Sequence, residues 1–85
     1  MYAGGWTEFR ALTPEEETMF HKAVKLLGVD YTPFAVANQV VKGTNYKFLC
    51  NAKTVTKPPY LFLAQIVIYA APDGNLAIVD LSDLS

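Results

Sequence analysis

Gln39-Val40-Val41-Lys42-Gly43-Thr44-Asn45-Tyr46 is flanked on both sides by β-branched and aromatic sequence. It therefore reads as the tip of a β-hairpin. Hairpin tips are usually polar, because a surface turn that buries nothing gains nothing from valines. This tip places two valines beside a glycine, which is expected of a loop that buries itself in something else. A second glycine-containing stretch, Gly4-Gly5-Trp6, stands near the beginning of the chain.

Upstream of the hairpin, Trp6 to Leu12 alternates for part of its length and is expected to be a short strand. Thr13-Pro14-Glu15-Glu16 is a helix start. Thr13 can cap free backbone N–H groups, Pro14 suits the first helical position, and Glu16 completes a capping box. Phe20, Ala23, Val24 and Leu27 follow at spacings of three and four, widened by Met19 and Leu26. Gly28 is the expected C-terminal cap, giving a helix of about four turns. Strands are expected over Tyr31 to Val41, Asn45 to Thr56, Tyr60 to Ala71 and Leu76 to Leu81. Lys57-Pro58-Pro59 breaks the chain, and Pro72-Asp73-Gly74-Asn75 is a tight turn. In the second of these strands Tyr46, Phe48, Cys50 and Ala52 share a face.

Consecutive hairpins make an antiparallel sheet, and one helix can cover one of its faces. The expected fold is α+β: an N-terminal helix packed on an antiparallel sheet of four to five strands, in a single domain spanning 1–85, with 1–5 as a flexible arm. The Tyr60 strand is apolar on both faces, with Phe62, Ala64, Ile66 and Ile68 opposite Leu61, Leu63, Val67 and Tyr69. Left uncovered, that excess favours self-association or strand exchange.

Eighty-five residues with 52% hydrophobic content make one compact domain. The formal net charge is −1, and no basic stripe is present, which argues against a nucleic-acid partner. The apolar run from Tyr60 to Ala71 falls well short of the roughly 20 residues of a membrane helix. No leader peptide is visible. The single cysteine, Cys50, precludes an internal disulfide, which favours a reducing, cytoplasmic compartment. A mature secreted form with its leader removed would read the same way. One Cys and one His make no conventional zinc site, and no cofactor is expected.

The hairpin residues Gln39, Val41 and Gly43 match the Gln-any-Val-any-Gly pattern of the cystatin family, reversible inhibitors of papain-like cysteine proteases. Thr44-Asn45-Tyr46, the Gly4-Gly5 pair and the order of elements are also cystatin-like. The lack of disulfides resembles the family's intracellular, stefin-like branch. The resemblance implies a wedge with three contact points that fills the protease cleft without offering a scissile bond. It implies a protease-binding role for Ala3, Gly4 and Gly5 in the arm. It implies the same for Gln39, Val40, Val41, Lys42 and Gly43 in the first loop, and for Pro72, Asp73, Gly74 and Asn75 in the second. Gly4 would serve as a hinge, and Gln39 would hydrogen-bond across the rim. Val40 and Val41 would each contribute roughly 1–2 kcal/mol when desolvated. The chain departs from the family in three ways. The second loop lacks the tryptophan that often follows its proline, Ala3 is small for its pocket, and Lys42 adds a charge at the tip.

Other residues have plainer readings. Cys50 shares a face with aromatic residues and reads as a buried apolar side chain, not a reactive thiol. His21 sits off the apolar stripe. Trp6 reads as a core or sheet-edge residue. The glutamates at 15 to 17 belong to the helix start. Although Cys50, His21 and Asn45 are the residue types of a thiol-protease site, Cys50 falls mid-strand, so no enzyme activity is expected. The alternative to inhibition is a non-inhibitory interaction module that uses the apolar face or edge of the sheet.

Overall fold

The computed structural model describes residues 4–85. Met1 to Ala3 lie outside them, and with them the arm contact assigned to Ala3. The described chain forms one helix, α1 (Pro14–Ala23), and four strands: β1 (Val29–Val41), β2 (Gly43–Thr54), β3 (Leu61–Ala70) and β4 (Leu76–Asp83). The strands make one antiparallel sheet in the order β1-β2-β3-β4, a layout consistent with the α+β cystatin-like arrangement. The long axis measures 48 Å, in keeping with the reach of a 13-residue strand at about 3.3 Å per residue.

α1 begins as the sequence requires. The Thr13 hydroxyl accepts from the Glu16 N–H at 3.2 Å, and the Glu16 carboxylate accepts from the Thr13 N–H at 2.9 Å. The helix ends sooner than the apolar spacing predicts. It stops at Ala23 after ten residues, not near Gly28 after four turns. Val24 is already extended (φ −98°, ψ 97°), while its N–H still closes the last turn on the Phe20 carbonyl at 2.8 Å. Extension at Val24 turns its side chain onto the core and leads the chain towards the start of β1. The Gly28 carbonyl there accepts from the Val55 N–H at 2.9 Å. Leu26 and Leu27 are consequently left outside, Leu27 fully exposed.

The core lies between α1 and one face of the sheet. Phe20 points down from the helix among Val36, Phe48, Cys50, Ile66 and Ile68, all of them buried. Alternation along β2 puts Phe48, Cys50 and Ala52 inside, and alternation along β3 does the same for Ala64, Ile66 and Ile68. On the other face of β3, Val67 is buried, but Leu63 is half-exposed and Leu61 is 68% exposed. A β-bulge opposite Val67 and Ile68 interrupts β4, and a second interrupts β1 between Pro33 and Ala35. No helix among the described residues is long and apolar enough to cross a membrane.

The stretch from Trp6 to Leu12 has no regular secondary structure, and within it only Arg10 forms a β-bridge, to Val36. It is a stitched segment along the edge of β1, not the regular strand expected there. The stitches are the paired Arg10 and Val36 backbone bonds (3.0 and 2.9 Å), the Thr7 N–H to the Asn38 carbonyl (2.9 Å), and the Gly4 N–H to the Val40 carbonyl (3.1 Å). Side chains reinforce them. Arg10 donates two bonds of 2.7 Å to the Glu16 carboxylate and one of 3.1 Å to Asn38 Oδ1. One ion pair thus joins the arm, the helix start and β1.

Glu16 is only 7% exposed, and its bidentate bond to Arg10 lowers its pKa to about 2. Its folded-state pKa lies below its unfolded value, so its contribution is complete above about pH 4.5. That contribution disappears as pH falls towards 2. Arg10 is partly open to water, which limits the net worth of the pair to about 1 kcal/mol. Glu16→Gln keeps the capping box but removes the charge. Urea midpoints measured from pH 6 to pH 2 should therefore fall less steeply for Glu16→Gln than for the wild type between pH 4.5 and 2.

Candidate functional site

β1 and β2 register symmetrically about Lys42, pairing Val41 with Gly43, Val40 with Thr44 and Gln39 with Asn45. The turn is therefore as tight as a hairpin can be, and Gly43 adopts φ +95°, a region that L side chains rarely occupy. A Cβ at Gly43 would also lie 2.5 Å from the Ala70 carbonyl and 2.9 Å from the Tyr69 hydroxyl. Glycine is required twice over, by dihedral angle and by space. The Tyr69 hydroxyl donates to the Lys42 carbonyl and so pins the tip from β3.

Val40 is 59% exposed, Lys42 is exposed and Val41 is half-buried. Neither valine belongs to the core cluster beneath α1. The arm meets the tip at Gly4, whose N–H bonds the Val40 carbonyl and whose carbonyl accepts from Gln39 Nε2 at 3.0 Å. Gln39 Oε1 in turn accepts from Asn45 Nδ2 at 3.1 Å. Gln39 is thus engaged within the chain, where the sequence reading had it reach across a partner's rim. A Cβ at Gly4 would make only ordinary contact at 3.6 Å, and one at Gly5 would meet nothing within 4 Å. Gly5 lacks the positive φ of Gly43.

The second loop stands beside the first, because Ala70 pairs with Thr44. Pro72 to Asn75 are all exposed. The Ala71 N–H bonds the Asn75 carbonyl (2.8 Å), and the Gly74 N–H bonds the Ala71 carbonyl (3.0 Å). Asp73 accepts from the Asn75 backbone and from its side chain, each at 3.0 Å. Gly74 has φ +92° with open space around it.

Gly4, Gly5, the tip from Gln39 to Gly43 and the loop from Pro72 to Asn75 therefore gather at one end of the sheet. Sequence reasoning missed the residues that hold this edge together: Tyr69, Asn45 and the Arg10–Asn38–Thr7 stitching. A signal for Asn45 was present, since Gln39 and Asn45 stand equally far from Lys42. Tyr69 gave none beyond its place on an apolar strand.

Cys50 is fully buried, and burial pushes its thiol up to about 12, far from the thiolate form that reacts. His21 is exposed on α1. Lys47 Nζ lies 4.1 Å from the centroid of the Trp6 ring, which seats Trp6 on the sheet face away from α1. Among the described residues, no group of three His, Cys, Asp or Glu side chains could hold a metal ion. No family model matches the chain, and comparison with curated proteins and with solved structures gives no significant match.

Gly43→Ala should lower stability by about 2–3 kcal/mol, combining a left-handed backbone with a backbone clash. Gly74→Ala faces the backbone term alone and should lose about 1 kcal/mol. Thermal unfolding of the two variants beside the wild type measures the difference.

Proposed function

We propose that this chain is a cystatin-type protein that reversibly and non-covalently inhibits papain-like cysteine proteases. In this reading the glycine arm, the Val40–Gly43 tip and the Pro72–Asn75 loop enter the active-site cleft as one edge, with Gln39 at its base. The observation that carries the reading is their convergence: Gly4 is bonded to the tip, and the base of the second loop lies against Gly43. The resemblance gave these three stretches a common task, and the fold brings them to one end of the molecule.

Two features of the edge support the reading. Val40 is an exposed β-branched side chain on a turn that glycine geometry and the Tyr69 hydroxyl hold stiff. A stiff turn does not relax into the extended pose needed for attack by a catalytic thiolate, and it loses little entropy on docking. Among the described residues, nothing crowds a Cβ at Gly4 or Gly5 enough to require glycine there. A close approach by a partner surface, or a hinge, accounts for them. The mechanism is occlusion. Desolvating Val40 and Val41 supplies affinity, the arm extends the contact, and no bond is made or broken.

Titration should abolish papain activity reversibly, with recovery on dilution. Val40 is exposed, so Val40→Glu should leave stability within about 0.5 kcal/mol and weaken inhibition at least about 100-fold. Gly4→Ala should likewise leave the melting temperature unchanged while raising the inhibition constant. Undiminished papain activity at a large excess of the folded chain would refute the reading.

A further inference from the structure

The arm is fastened to β1 in three places, and the fastenings differ. At Arg10 and Thr7, backbone pairs are backed by an ion pair and by side-chain hydrogen bonds to Asn38. At Gly4, beyond those stitches, one backbone bond to Val40 is backed by a single side chain, Gln39. Gln39 does not reach there freely. Its amide oxygen is held by Asn45 Nδ2 from across the hairpin, which orients its amide nitrogen towards the Gly4 carbonyl. The register sets Gln39 opposite Asn45 and Asn45 opposite Tyr69, in one row across the sheet just below the tip. One end of the row holds the arm through Gln39, and the other holds the tip through the Tyr69 hydroxyl on the Lys42 carbonyl.

We propose that Gln39 is a positioning residue: oriented by Asn45, it latches the arm to the hairpin tip, so that arm and tip are one preformed edge in the free protein. The latch is a property of the free chain. Its consequence for affinity rests on the inhibitor reading, because ordering the arm beforehand removes part of the entropy lost on docking. Gln39 then affects the protease through the arm, not through contact of its own.

The Gly4 amide reports the latch directly by hydrogen exchange followed by NMR in the free protein. Gln39→Glu is nearly isosteric and still accepts from Asn45, but as a carboxylate it cannot donate to the Gly4 carbonyl. Gly4 protection should fall at least fivefold in Gln39→Glu and in Gln39→Ala, while the Val36 amide in β1 keeps its protection. Unchanged Gly4 protection in both variants would overturn the proposal, whatever the chain does to proteases. Papain inhibition supplies a second readout. Gln39→Ala should raise the inhibition constant about tenfold in the full chain and less than twofold in a chain lacking residues 1–4, where the Gly4 carbonyl that Gln39 holds is gone. An equal loss in both backgrounds would mean that Gln39 touches the protease itself, and would also overturn the proposal. If Gly4 protection falls as stated but papain is inhibited by neither chain, the latch stands and the inhibitor reading fails.

Discussion

Phe20 packing on Phe48 is the contact on which the rest of the molecule depends. The ring centroids lie 5.0 Å apart at 64°, an edge-to-face arrangement, and both residues are buried. α1 has only ten residues, and only Phe20 and Glu16 on it are buried. One side chain therefore does most of the work of joining helix to sheet. Losing such a ring from a core typically costs about 3–5 kcal/mol, a large share of the stability of a domain this small. The neighbouring rings are arranged around it, with His21 edge-on to Phe20 and Tyr46 stacked near Phe48 at 6.3 Å.

That anchor also fixes the exposed edge at the far end of the molecule. Phe20 sets where α1 sits, and the first turn of α1 carries Glu16, whose carboxylate holds Arg10. Arg10 bonds Asn38 and pairs with Val36, so the helix start dictates the line of the arm along β1. The arm also occupies part of an edge that would otherwise present free N–H and C=O groups. The opposite edge, β4, is guarded differently: a bulge interrupts it, and Asp80 and Asp83 place charge along it. Strand exchange, expected from the apolar excess of β3, thus faces obstacles at both edges.

Sequence alone was most legible where a local rule and a tertiary need agreed. The Thr13–Glu16 capping box, the alternation of Phe48, Cys50 and Ala52, and the glycine of the tip each appear where a short-range signal placed them. It misled where the two parted. Leu26 and Leu27 continue the apolar spacing of α1, yet the chain must leave the helix at Val24 to start the long first strand. Extended backbone there overrides the periodicity, which packing uses only as far as Val24. The candidate edge was legible only as a set of loops. Its fastenings were not, because a bond such as Gln39 to Gly4 joins residues 35 apart and leaves no local mark.

The geometry also separates the inhibitor and the interaction module physically. The interaction module needs the exposed apolar residues of β3, and the most open of these, Leu61, pairs with Lys53, which pairs with Asp30 at the start of β1. The inhibitor needs Val40 and its neighbours at the end of β1. Asp30 and Val40 are ten residue steps apart along β1, roughly 33 Å at about 3.3 Å per residue. Sites that far apart with no shared side chain act independently, so effects of substitutions at one should add to those at the other. A partner seated on Leu61 and Leu63 would leave the tip open, and a protease at the tip would leave β3 open.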